Sequence, residues 1–135
     1  MTTLQVKKPI ILTGVVNWLE WLDYIGSKLE LATWNAIRSG DQSFLLAEPR
    51  KPLLIDFNPA ATIEANLNTT QARAYKNARS HYKEDLEAYD KQQKQLIKAR
   101  EAIYSSVDER LCRYLEWNND VYHWMKVLTG AISVE

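Results

Sequence analysis

From Asn68 to about Tyr104 the chain runs without a glycine or a proline. Those two residues most readily end a helix, so a stretch of this length commits the protein to one long helix. Asn68 with Gln71 three positions on has the form of a capping box, which fixes the start. Within the stretch Tyr75, Tyr82, Tyr89, Leu96 and Ile103 recur at intervals of seven, with Ala72 and Leu86 at the companion position of the same seam. Arg79, Gln93 and Arg100 interrupt that companion position, whereas a committed coiled coil keeps both positions apolar. The stripe is therefore expected to lie partly against its own domain and partly in the open. Tyr75, Tyr82 and Tyr89 are the candidate interface.

A helix this long needs something to pack against, and the strongest apolar unit lies near the start of the chain. In Leu12 to Ile37, Asn17 has the character of an N-cap, and Trp18, Trp21, Leu22, Ile25 and Leu29 follow at three-and-four spacing on one helical face. Full burial of such a side chain contributes about 1.5–3 kcal/mol, so five of them demand a hydrophobic partner from elsewhere. Trp18, Trp21, Trp34 and Trp124 are the predicted core anchors. Gly26 weakens the helix by about 1 kcal/mol relative to alanine and suggests close approach of another backbone. Thr33 is placed to cap a short second helix carrying Trp34, Ala36 and Ile37, closed by Ser39-Gly40-Asp41.

Periodicity fades from Gln42 to Asn68, where Pro49, Pro52 and Pro59 forbid a long helix. This reads as an ordered connection that docks Phe44 to Leu46 and Leu53 to Ile55 on the core, with a helical turn starting at Asn58-Pro59. After the long helix, Ser106 and Glu109 form a second capping-box pattern ahead of Leu111, Tyr114 and Leu115. Asn118-Asn119-Asp120 interrupts, and a last helix presents Val121, Trp124, Val127 and Leu128 before Gly130. The expected fold is all-α: a compact helical domain of about five helices with one long central helix. An extended N-terminal arm over residues 1–11 precedes a single domain over 12–135, of which 42–68 is irregular.

The chemistry-bearing residues are sparse. Seventeen basic residues balance seventeen acidic ones, which argues against a dedicated nucleic-acid arm over the whole chain. Cys112 is the only cysteine, so neither an intrachain disulfide nor a zinc knuckle can form, and it reads as a small buried hydrophobe. His81, near Glu84 and Asp85, and His123 are the only histidines, too few for a metal site. No nucleophile with its base, phosphate cradle or aspartyl-protease triplet is legible, so no catalytic residue, cofactor, metal or small-molecule substrate is expected. No window approaches a membrane span, no signal segment opens the chain, and Thr2 stands where myristoylation requires glycine. The sequon Asn68-Thr69-Thr70 is therefore read as a cap, and the expected location is the cytoplasm, with no membrane partner. Between Gln71 and Tyr104 eight basic side chains face five acidic ones. With the tyrosines interleaved this allows RNA contact, although a solvated face is the plainer reading.

Leu12-Thr13-Gly14, Asn17-Trp18, Trp21 and then Trp34 with Ile37 resemble the opening of copia-type LTR-retrotransposon Gag polyproteins, where an L-x-G, an aromatic-W motif and a W-x-x-I recur in that order. Later, Ala99, Ile103, Ser106, Val107 and Leu111, followed by Trp124 and Val127, resemble the A-x-x-x-I-x-x-S-L-x-x-x-L segment and W-x-x-L helix of the same proteins, with valine for leucine at 107 and 127. The resemblance covers about residues 10–40 and 83–130 and none of the stretch between. It implies an N-terminal capsid-like region whose function is self-assembly into a virus-like particle shell enclosing RNA. A homo-oligomer is the implied partner, and RNA is expected to be held mainly by a segment outside this chain. Because such Gag proteins continue further, a fragment, an excised domain or a shortened host-adopted relative is expected. The alternative is a monomeric helical adaptor, or a host-adopted Gag fragment, that binds Gag and regulates its assembly.

Overall fold

The computed structural model describes residues 9–133, so the predicted arm lies largely outside the described residues. The protein is all-α: α1 spans Trp18–Lys28, α2 Leu31–Ser39, α3 Thr69–Tyr104, α4 Glu109–Cys112 and α5 Val121–Ser133. Single 3-10 turns at Val15–Asn17, Gln42–Phe44, Leu54–Asp56 and Glu64–Asn66 complete the element order. Residues gather into two compact units, one from the segments ending at Phe44 and beginning at Lys94, the other Leu45–Gln93. Helix α3 contributes residues to both units.

In the first unit the chain enters through Leu12, which is fully buried and pairs with Val107 in an isolated parallel bridge. Leu12 N–H donates to the Ser106 carbonyl at 2.7 Å, and Asp108 N–H donates to the Leu12 carbonyl at 2.8 Å. Asn17 does stand at the N-cap position of α1, but its side chain does not cap that helix. Its Oδ1 accepts from Thr13 N at 3.0 Å and its Nδ2 donates to the Ile11 carbonyl at 2.7 Å, so it pins the incoming chain beside Leu12. Trp21, Leu22 and Ile25 are buried along α1, and Leu29 is buried at its C-cap. Trp18 is only half-buried and stacks on Trp21 with ring centroids 5.5 Å apart.

Gly26 permits a close approach, but by a side chain and not by the backbone predicted: a Cβ there would lie 2.7 Å from Trp34 Nε1. Nor does Thr33 cap α2. The helix begins two residues earlier, after Glu30, and Thr33 is buried inside it. Gly40 ends α2 in the left-handed region at φ 72°, with Gly40 N–H donating to the Ile37 carbonyl at 3.3 Å and Asp41 N–H to Ala36 at 2.9 Å. That pair is the Schellman arrangement, in which only glycine avoids a Cβ penalty.

The predicted cap at Ser106 is displaced as well. Asp108 caps the single turn of α4 by accepting from Arg110 N at 2.8 Å, because Ser106 is occupied elsewhere. Its buried hydroxyl accepts from Trp21 Nε1 at 2.9 Å and donates to the Ala102 carbonyl at 2.6 Å. Asp120 caps α5 through His123 N at 2.8 Å, and the helix continues through Gly130 to Ser133, since Leu128 and Ile132 are both buried.

In the second unit the expected helical turn at Asn58-Pro59 is absent. Asn58 instead folds an Asx turn onto Ala60 N at 3.0 Å, and the 3-10 turns flank it. Asp56 closes one turn by accepting from Leu53 N at 2.8 Å. Asn66 closes the other, accepting from Thr62 N at 3.0 Å and Ile63 N at 3.1 Å. These short side chains supply the acceptors that a helix ladder would otherwise provide. Of the residues expected to dock, Leu46, Leu53 and Ile55 remain exposed and Leu45 and Leu54 are half-buried, while Phe57 is half-buried and Ala61 and Leu67 are buried. The capping box at the start of α3 forms in both directions: Asn68 N–H donates to Gln71 Oε1 at 3.0 Å, and Gln71 N–H to Asn68 Oδ1 at 2.8 Å.

Candidate interaction surfaces

The four predicted anchors differ in burial. Trp21, Trp34 and Trp124 are buried, while Trp18 has its outer face open. The fifth tryptophan, Trp117, is 56% exposed and belongs to a cluster that periodicity did not single out. Its ring packs against Tyr104 at 4.7 Å and Trp124 at 5.0 Å between centroids. The Arg100 guanidinium lies over Trp117 at 5.1 Å and Trp124 at 4.7 Å, and donates to the Trp117 carbonyl at 2.6 Å. An arginine that interrupts the apolar seam of α3 thus acts as a cation on two aromatic faces. The only sequence signal is that interruption, because Trp117 sits in a turn without periodicity.

Tyr75, Tyr82 and Tyr89 are each half-buried along α3. Tyr75 meets Phe57 edge-on with centroids 5.6 Å apart, and the Arg79 guanidinium covers it at 5.7 Å. The most open apolar side chains lie instead in the first unit: Val16 at 95% and Leu19 and Leu31 at 74% exposure. Val16 precedes Leu19 by one 3-10 turn, and Leu19 and Leu31 line a shallow hollow between α1 and α2 with Trp34 at its base. Single exposed leucines are ordinary, but two so open on the lining of one hollow, with Val16 exposed three residues before Leu19, are apolar surface that association would cover.

Among the described residues no three His, Cys, Asp or Glu side chains gather to hold a metal, and no helix is long and apolar enough to cross a membrane. His81 and His123 are both exposed. Burial, and then the nearby Asp108 and Glu109 carboxylates, push the Cys112 thiol pKa above its usual value. A thiol kept protonated is a poor nucleophile.

No family model matches this chain, and no curated protein or solved structure matches it either.

Proposed function

We propose that this chain is a capsid-type domain, similar to the N-terminal part of copia-type Gag, that self-associates into a particle shell around RNA. One observation carries the reading. The two separated segments that resemble Gag meet in the first unit: Leu12 pairs with Val107, and Trp21 hydrogen-bonds Ser106 at 2.9 Å across 85 positions of sequence. Ala99, Ile103, Ser106, Val107, Leu111 and Trp124 are all buried. Of the resembling residues Thr13 is exposed and Asn17, Trp18 and Val127 are half-buried, while the others share one core, which supports the reading.

The hollow lined by Leu19 and Leu31, with the exposed Val16 three residues before Leu19, is the surface offered to a neighbour. Three exposed side chains, each worth no more than about 1.5–3 kcal/mol when fully covered, give a weak pairwise contact. Weak contacts repeated by symmetry assemble only when protein accumulates, which suits a shell. Light scattering coupled to size-exclusion chromatography over a hundredfold concentration range tests this. The apparent mass should rise with concentration, and Leu19→Glu with Leu31→Glu should hold the protein as a monomer. A wild-type monomer throughout dismisses the proposal.

A further inference from the structure

The second unit carries a feature that self-association does not use. A groove of about 700 Å3 runs between α3 and the 51–67 segment. Tyr75, Lys76, Arg79, Tyr82 and Lys83 line its helical side, at the three-and-four spacing that puts them on one face, and Lys51 lies on its lining too. Glu64 is the single carboxylate among the lining residues, and it is paired with Arg79 at 3.3 Å. Lys51, Lys76 and Lys83 are exposed and have no carboxylate partner among the described residues. The groove therefore keeps three uncompensated positive charges.

Their spacing points to an extended polyanion. Lys76 and Lys83 are seven residues apart on α3, about 10 Å along the axis, too far to share one compact phosphate group. Tyr82 lies between them. Phe57 and Arg79 occupy the ring of Tyr75, whereas no ring or hydrogen-bond partner meets Tyr82 among the described residues. A half-buried aromatic face flanked by free cations matches the way single strands are held without regard to sequence, with phosphates on basic side chains and a base stacked on the ring. A duplex, whose bases are already stacked, cannot use that ring.

We propose that this groove binds a short single-stranded nucleic acid, with Lys51, Lys76 and Lys83 contacting phosphates and one base stacked on Tyr82. Fluorescence anisotropy with a labelled uridine strand of about twelve nucleotides tests it. Three phosphate contacts give a salt slope near −2, so affinity should fall about 20-fold between 50 and 200 mM salt. Reversing the groove charges (K51E, K76E, K83E) should weaken binding more than tenfold. The same charge change at exposed positions outside the groove (K91E, K94E, K98E) should weaken it less than threefold. Tyr82→Ala should cost about tenfold and Tyr82→Phe little, since the ring and not the hydroxyl stacks. The proposal is overturned by absent wild-type binding, by equal losses in the two charge variants, by Tyr82→Phe failing as Tyr82→Ala does, or by UTP or a duplex competing as well as the strand. None of these readouts depends on self-association, so either proposal can fail alone.

Discussion

Gly26 and Gly130 both lie inside helices, yet an added methyl group meets opposite surroundings at the two. At Gly26 it would fall 2.7 and 2.8 Å from Nε1 and Cδ1 of the buried Trp34 indole, which has little room to withdraw. Overpacking of this kind costs about 1–3 kcal/mol. At Gly130 nothing lies within 4 Å, so the gain in helix propensity, about 0.5–1 kcal/mol, is unopposed. Thermal unfolding should show Gly26→Ala melting below the wild type and Gly130→Ala above it. Ser106→Ala tests a different kind of loss. Removing the hydroxyl leaves the indole N–H of fully buried Trp21 without its acceptor, and such an orphaned donor costs about 1–3 kcal/mol in chemical denaturation. Tyr122 adds a pH dependence. Burial, and then the carboxylates of Asp41 and Asp120, raise its pKa above the ordinary value of 10.0. Its hydroxyl also donates to the Asp41 carbonyl at 3.1 Å, a bond that requires the proton. The folded state holds that proton more tightly than the unfolded chain, so this stabilisation is complete below about pH 10 and is lost as pH rises through the raised value. Tyr122→Phe should flatten the alkaline limb of a stability profile while lowering the neutral plateau by about 1 kcal/mol.

Among the elements, α3 was legible because its signals are local. The Asn68 and Gln71 box and the absence of breakers lie within the helix itself, and Gly40 likewise announces the end of α2. Where contacts outside the helix decide, local signals misled. Ser106 has the right spacing for a cap but serves Trp21, and Asn17 has the right identity for one but pins the strand-like entry at Leu12. Gly130 looked like a terminator, yet burial of Ile132 carries α5 past it. The stretch 42–68 was unreadable for another reason: its turns are closed by asparagine and aspartate side chains, whose acceptors leave no hydrophobic period. The interaction surfaces were the least legible part, because an apolar residue on a helix obeys the same period whether it faces the core or a neighbour. The burial pattern makes its own prediction for the elements. All the buried hydrophobic side chains among the described residues lie in the first unit except Ala61 and Leu67. Amide exchange should therefore be faster from Thr69 to Gln93 of α3 than in α1 or α5, since openings that expose little apolar surface cost little.

At the scale of the whole molecule, the first unit is assembled from the two ends of the described chain, with Leu45–Gln93 between them. The partners of Trp21 and Leu12 on the far side are Ser106 and Val107, and Trp124 comes later still. Such separated contacts carry a large loop-closure cost, which the bridge at Leu12 and the hydrogen bond at Trp21 help to offset once closed. The order of synthesis gives this arrangement a further consequence. A ribosome adding about 5–20 residues per second completes α1 and α2 several seconds before it delivers the segments that cover them. During that interval three tryptophans wait without their final cover, and the growing chains of one polysome hold them close together. Copies of the chain are thereby brought together at the stage when those indoles are least covered.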